Sequence, residues 1–112
     1  MAECIADLDV IQRLLGQHNP DAELIVSVSP VPLFASFRTD VDPVTANSFS
    51  KSTLRVAAET FAGRHGNTHY FPAYEIVTQA TANPYEADNR HVREAAVDRV
   101  AQIYAPHMVR GI

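Results

Sequence analysis

Asp88 and His91 are the two side chains with the clearest capacity for chemistry in this sequence. The aspartate lies three residues before the histidine, in a polar stretch that leads into an apolar segment near the end of the chain. If the chain turns between them, the carboxylate can accept a hydrogen bond from one imidazole nitrogen, which fixes the tautomer and stabilises the imidazolium. The other nitrogen can then remove a proton, so the pair predicts a general base, His91, oriented by Asp88.

A purely structural interpretation of these two residues stays open on spacing alone. Aspartate is a preferred N-cap residue, so Asp88 can begin the last helix and leave His91 exposed in its first turn. An Asp-x-x-His pattern is short enough to recur by chance, and spacing by itself favours the structural interpretation.

Three further polar side chains, Asn47, Lys51 and Glu75, are candidate substrate-binding residues. Lys51 is the only lysine in the chain and can contact an anionic group, although a solvated surface lysine is the commoner case. Glu75 follows an apolar run and can hydrogen-bond across a loop edge or have a structural role. Asn47 is also a candidate N-cap of a predicted helix.

Cys4, His65 and His69 carry weaker signals. A thiolate near a helix start can be stabilised, but a lone cysteine such as Cys4 more often packs as a small apolar residue. His65 and His69 are four residues apart, yet the intervening Gly66-Asn67 interrupts a helix, so shared metal coordination is not expected. We therefore expect neither a metal site nor a cofactor.

Short apolar strands and amphipathic helices must position these side chains. Apolar runs predict buried strands over Leu24–Val28 and Thr68–Phe71, because each run is followed by a proline that cannot extend a ladder. Helical spacing and loop composition predict the other elements, namely a helix over Glu3–Leu15, a long loop over 33–46, a helix from Ser48 or Ser50 to Ala62 capped by Asn47 or Ser48, an irregular stretch over 73–87 with a helical turn near Tyr74–Thr78, and a last helix over His91–Tyr104 ended by Pro106.

This alternation predicts an α/β fold in which helices flank a parallel sheet on both faces. Ligands bind beyond the carboxyl ends of such strands, and that edge here carries residues 27–33, 72–75 and 85–91. Two strands cannot form an independent doubly wound sheet, so we expect the missing strands to come from elsewhere.

Three spaced segments, Ser27–Leu33, Thr45–Arg55 and Tyr70–Ile76, point to a known family. In their order and spacing they resemble the C-terminal half of the GSCFA family, which is related to the SGNH, or GDSL-like, hydrolases. The resemblance covers nearly the whole chain, and three motifs together are far more specific than any one of them.

The resemblance implies a three-layer α/β/α fold of the flavodoxin-like kind. It also implies ester hydrolysis or acyl transfer by a serine nucleophile, on an acylated small molecule or saccharide. In SGNH enzymes an Asp-x-x-His block supplies the orienting acid and the base. Asp88-Asn89-Arg90-His91 matches that block residue by residue before the last helix, so the resemblance favours the catalytic interpretation of Asp88 and His91.

The chain departs from the family pattern at the nucleophile. The Gly-Ser-Cys-Phe-Ala segment is absent, since none of the four glycines is followed by serine, and a Gly-x-Asn-Asp block for the oxyanion is also missing. We therefore expect residues 1–112 to be the C-terminal portion of a single domain, inactive without an N-terminal half. The alternative is a non-catalytic interaction module that completes its sheet with a partner or a second copy.

Composition excludes several classes of protein. With 112 residues, 46% of them hydrophobic, the chain is globular and no larger than one small domain. A net charge of −4 argues against nucleic-acid binding, and no apolar run is long enough for a membrane span. The acidic N-terminus shows no export signal and a single cysteine excludes a disulfide framework, so we expect a cytoplasmic location.

Overall fold

A computed structural model describes residues 1–33 and 35–108 as an α/β structure with two short strands. Along the chain, the elements are α1 (Ala2–His18), β1 (Leu24–Val26), α2 (Pro43–Arg64), β2 (Thr68–Tyr70), α3 (Ala73–Thr78) and α4 (Glu94–Met108). The chain divides into two compact units, unit 1 with Met1–Val28 and Ser48–Phe71, and unit 2 with Ser29–Asn47 and Pro72–Ile112. Among the described residues, no helix has both the length and the apolar character that crossing a membrane requires.

The sheet of unit 1 confirms the predicted parallel pairing. In its register, Leu24 lies opposite Thr68 and Val26 opposite Tyr70. Both strands end earlier than predicted. The Phe71 N–H still donates to the Val26 carbonyl over 2.8 Å, and beyond this bond the contact comes from a side chain, since the Ser27 hydroxyl donates to the Phe71 carbonyl over 2.6 Å. The sheet has two strands in the part of the chain that the structure describes, so a mixed α/β fold is established and a three-layer arrangement is not.

The core of unit 1 lies on one face of α2. Its buried apolar side chains come from this helix and from the strand ends, namely Val28, Ala57, Ala58, Phe61 and Phe71. Helix α1, by contrast, has no buried residue. Its apolar side chains Ile5, Leu8 and Leu15 are half-buried. Polar contacts also hold the helix, since the carboxylate of Asp9 accepts hydrogen bonds from Arg64 over 2.7 Å and from His65 over 2.9 Å.

Helix α2 begins at Pro43, so the predicted start at Ser48 or Ser50 and the predicted cap at Asn47 or Ser48 are wrong. Asp42 acts as the cap, because its Oδ1 accepts from the Thr45 N–H over 2.9 Å and its Oδ2 accepts from the Thr45 hydroxyl over 2.8 Å. Proline suits the position after a cap, since its missing N–H has no helical partner there. The Asp-Pro pair therefore starts a helix at a point where we expected a loop.

Unit 2 packs α3 against α4. Its buried apolar residues are Ala46, Ile76, Val77 and Ala96. The predicted turn near Tyr74–Thr78 is confirmed as α3, whereas α4 begins at Glu94 and not at His91. The chain is still extended at Val92, which bridges Tyr85 in antiparallel fashion, so the helix cannot start earlier.

Pro106 does not end α4, contrary to prediction, because the helix continues to Met108. Proline within a helix removes the hydrogen bond to the carbonyl four residues earlier, here that of Gln102. In the last turn this loss affects only one bond, so the helix tolerates it.

Candidate functional site

The loop between α3 and α4 presents the Asp-x-x-His block on a short hairpin. The N–H of Arg93 donates to the Pro84 carbonyl over 2.7 Å, and the N–H of Glu86 donates to the His91 carbonyl over 2.8 Å. These backbone bonds close a loop whose tip holds Asp88 and Asn89. His91 is therefore positioned by the hairpin loop and not by the first turn of a helix.

The Asp88 carboxylate organises the tip of this hairpin. Its Oδ1 accepts hydrogen bonds from the backbone N–H groups of Arg90 and His91, each over 3.0 Å. Its Oδ2 lies 2.5 Å from Nδ1 of His91. Since α4 begins three residues after His91, Asp88 is not the N-cap of that helix, and the capping role that spacing favours for this aspartate is wrong.

The turn needs a left-handed residue, and Asn89 supplies it with a φ of 56°. Asparagine tolerates this conformation better than other non-glycine residues, whereas a β-branched side chain clashes there.

We expect Asn89→Gly to leave the hairpin intact and Asn89→Val to strain it by about 1–2 kcal/mol. Thermal unfolding followed by circular dichroism compares the two variants directly. An equal melting temperature for both would contradict the role of the left-handed turn.

Hydrogen bonding keeps Asp88 ionised. The His91 side chain, and after it the backbone N–H groups of Arg90 and His91, hold the pKa of the Asp88 carboxyl well below its usual range. A carboxylate accepts hydrogen bonds only, so Nδ1 of His91 carries a proton and donates a hydrogen bond to Asp88. Nε2 is then the basic nitrogen of the neutral ring, whose side chain is 69% exposed.

The pair has a defined pH dependence. Because the pKa of Asp88 is lowered in the folded chain, the contact with His91 is present above the ordinary aspartate pKa and is lost as the pH falls through the lowered value. We expect the carboxyl ¹³C resonance of Asp88 to titrate at higher pH in His91→Ala than in the unaltered chain. An unchanged midpoint in that variant would show that His91 does not lower the pKa.

A cavity of about 570 Å³ lies in unit 2, next to the same hairpin. This volume is in the range of small-molecule sites. Asp88 lines the cavity, and its carboxylate is the one that binds Nδ1 of His91. The complete lining consists of apolar, aromatic and polar residues, namely Pro30, Pro32, Leu33, Pro43, Val44, Asn47, Tyr74, Thr78, Tyr85, Asp88, Asn89 and Arg90.

Two side-chain contacts shape the wall of the cavity. The Tyr85 hydroxyl donates to the Pro30 carbonyl over 2.8 Å, and Oδ1 of Asn47 accepts from the Leu33 N–H over 2.9 Å. Burial raises the pKa of the Tyr85 phenol, and the neighbouring Tyr74 raises it further. The Tyr85 hydroxyl therefore remains a neutral hydrogen-bond donor. These contacts attach the proline-containing segment to α2 and to the hairpin.

The residues predicted for substrate binding are separated by the structure. Asn47 lines the cavity of unit 2. Lys51 belongs to unit 1 and is only 8% exposed, so it is not the solvated surface lysine that is the commoner case. Burial lowers the pKa of its ammonium group. Glu75 lies half-buried in the first turn of α3 and does not line this cavity.

Sequence reasoning missed Tyr74 and Tyr85 as cavity residues. The available signal was weak, since two of the four tyrosines fall within twelve residues near prolines. The cavity also needs Pro30 beside Tyr85, residues that are 55 positions apart. No local pattern indicates such a contact.

His65 and His69 each bind a different carboxylate within unit 1. His65 binds Asp9, while Nε2 of His69 lies 2.7 Å from Glu23, so the two histidines do not share a ligand. Among the described residues, no three His, Cys, Asp or Glu side chains are grouped as metal ligands would be. Cys4 is half-buried on α1.

Comparison with known proteins assigns the family. No curated protein matches the chain, and no solved structure matches it. The GSCFA family matches residues 1–104, a range that includes both strands, the hairpin and the Asp88–His91 pair. Since this match extends over nearly all of the sequence, the chain belongs to the GSCFA family.

Proposed function

We propose that this chain is the acid/base-bearing, C-terminal part of an SGNH-like ester hydrolase or acyltransferase. The observation that carries the proposal is the Asp88–His91 pair, in which Nδ1 is bound to a carboxylate that lines a cavity and the histidine side chain is exposed. Membership of the GSCFA family supports this assignment. An imidazole held in one tautomer by a carboxylate is the arrangement that activates a serine in acyl transfer.

In the proposed reaction, Nε2 of His91 takes the proton of a serine hydroxyl as its oxygen attacks the ester carbonyl. The imidazolium then gives this proton to the leaving alcohol as the ester C–O bond breaks and an acyl-serine forms. Water, or an acceptor alcohol, repeats the two proton transfers and releases the acyl group. Asp88 stays ionised throughout and stabilises the imidazolium, in agreement with its lowered pKa.

The serine in this proposal belongs to a polypeptide segment outside the 112 residues. Its basis is the sequence, in which no glycine precedes a serine and no Gly-Ser-Cys block occurs. The same segment would add strands to the two-stranded sheet and complete a three-layer, flavodoxin-like α/β/α fold. Parallel sheets occur almost only where other elements cover both of their faces, and a sheet of two strands is smaller than such folds require. This supports the idea that a further segment completes the sheet.

An acylated small molecule or saccharide is the proposed substrate. The cavity suits an apolar acyl group, because prolines, Leu33 and Val44 contribute to its walls. Asn47 is the proposed substrate-binding residue there. The corresponding roles of Lys51 and Glu75 stay predictions.

Hydrolysis of p-nitrophenyl acetate tests the proposal. The isolated chain is expected to hydrolyse the ester no faster than its His91→Ala variant, since the base has no serine to activate. Addition of a family polypeptide that carries the Gly-Ser-Cys block is expected to produce His91-dependent turnover. Robust His91-dependent activity of the isolated chain would overturn the claim that the nucleophile comes from another segment.

A second candidate function is a non-catalytic interaction module. The observation behind it is that β1 and β2 pair only with each other within the described residues, so each strand has an unpaired outer edge. A second copy or a partner could add a strand there. Size-exclusion chromatography with light scattering tests this candidate, and a cooperatively folded monomer would count against it.

A further inference from the structure

We propose that Lys51 is an anion-binding residue, whose ammonium group takes a carboxylate that the described part of the chain does not supply. The residue belongs to unit 1, whereas the Asp88–His91 pair belongs to unit 2. Binding of a carboxylate by Lys51 requires no nucleophile and no catalytic step.

Lys51 is buried to a degree that is rare for a lysine. It is 8% exposed, and lysine is almost never buried in this way unless its charge is paired. Ala58, two turns later on the same face of α2, belongs to the core of unit 1. The Lys51 side chain is therefore attached to the buried face of the helix and not to its solvated face.

The ammonium group of Lys51 has no partner among the described residues. Burial lowers its pKa, and neither a hydrogen bond nor a neighbouring charge offsets this effect. A buried charge without a partner costs free energy, and an anion that binds to it recovers part of this cost.

The acidic residues of unit 1 do not serve Lys51. Three of them bind arginine or histidine side chains, namely Asp9, Glu23 and Glu59. The other three are exposed, namely Glu3, Asp7 and Asp21. A carboxylate for Lys51 therefore has to come from outside unit 1.

The position of Lys51 along α2 places it toward the edge of the sheet where ligands of parallel sheets bind. Arg55, one turn later on the same helix, has its guanidinium carbon 4.0 Å from the ring centroid of Tyr70, the last residue of β2. Because α2 connects the end of β1 to the start of β2, it runs antiparallel to both strands. Lys51 thus lies one turn nearer than Arg55 to the carboxyl edge, beyond which ligands bind in such sheets.

The chemistry of the donor indicates the class of ligand. An ammonium group has three N–H donors and no acceptor, so its ligand must supply oxygen acceptors and negative charge. A carboxylate balances the single charge of Lys51. It is offered both by a free carboxylic acid and by an Asp or Glu side chain of the segment that completes the sheet, and the second source rests on the proposed function.

Nuclear magnetic resonance of the whole chain tests the proposal, because Lys51 is the only lysine and labelled lysine gives a signal from one residue. We expect sodium acetate, at constant ionic strength, to shift the Cε and Nζ resonances of Lys51 saturably. The pKa of Lys51 should rise in acetate, since the carboxylate stabilises the charged form. The neutral isostere acetamide should cause no shift. No response to acetate, or an equal response to acetamide, would overturn the proposal.

Two variants control this titration. Ser52→Lys adds a second lysine at an exposed position of α2, and its resonances should not respond to acetate. An equal response at positions 51 and 52 would show non-specific attraction and overturn the proposal.

Lys51→Met keeps a side chain of similar length without the charge. Acetate should raise the urea midpoint of the unaltered chain and not that of Lys51→Met, because a ligand that binds only the folded state stabilises it. An equal rise in both would contradict the assignment. If this variant does not fold, the labelled titration of the unaltered chain still decides the proposal.

Addition of a family polypeptide that carries the Gly-Ser-Cys block distinguishes the two sources of the carboxylate. We expect it to shift the Lys51 resonances and to weaken acetate binding at least about tenfold, which assigns the carboxylate to the completing segment. Unchanged acetate binding in the mixture would assign the site to a free carboxylate and overturn the segment as the source. Absence of His91-dependent hydrolysis in the same mixture would overturn only the proposed function, since acetate binding to the chain alone does not depend on it.

Discussion

Replacement of His91 by alanine is expected to lower the rate of ester hydrolysis by about 10²–10⁴-fold, the usual contribution of a positioned general base. The physical reason is that the serine then has no group to take its proton during attack. The measurement is kcat for p-nitrophenyl acetate, with the chain combined with a polypeptide that carries the Gly-Ser-Cys block. The loss should appear in kcat and leave KM largely unchanged, because His91 acts on the nucleophile and not on the substrate.

The control for this variant is His69→Ala. His69 is also an exposed histidine bound to a carboxylate, with Nε2 2.7 Å from Glu23, but it belongs to unit 1. The His69→Ala variant should therefore retain full activity. Asp88→Asn should reduce kcat at least about tenfold, because an amide no longer stabilises the imidazolium. If His69→Ala and His91→Ala lose activity equally, the role assigned to the Asp88–His91 pair is wrong.

Replacement of Phe61 by alanine is expected to destabilise the fold by about 3–5 kcal/mol, as is typical for a large aromatic residue removed from a core. Phe61 is 0% exposed and is among the largest fully buried side chains. Its ring also contacts His65 edge to face, with 5.1 Å between the centroids. Because small domains are stable by only about 5–15 kcal/mol, this loss is a large part of the total.

Urea unfolding followed by circular dichroism measures the effect of Phe61→Ala as a lower midpoint. Phe49→Ala is the matched control, since Phe49 lies on the same helix and is 67% exposed. It is expected to change the free energy of unfolding by less than about 0.5 kcal/mol. Similar midpoints for both variants would contradict the assignment of Phe61 to the core of unit 1.

The parts of the fold that sequence predicts well are those with local causes. Both strands, Leu24–Val26 and Thr68–Tyr70, contain apolar, β-branched or aromatic residues that favour strands, and a proline follows each of them. The start of α2 was missed because Asp42-Pro43 is typical both of a turn and of a capped helix. The start of α4 was missed because the bridge between Tyr85 and Val92, seven residues apart, holds the chain extended past His91.

By itself, the sequence determined the family and the Asp88–His91 contact. Both depend on short-range information, since a carboxylate three residues before a histidine reaches its ring through a local turn with Asn89 in the left-handed region. Only the tertiary structure decided that Lys51 is buried and that Asn47 and Asp88 line one cavity. The cavity joins residues up to 60 positions apart, from Pro30 to Arg90, and such contacts depend on how the whole of unit 2 packs.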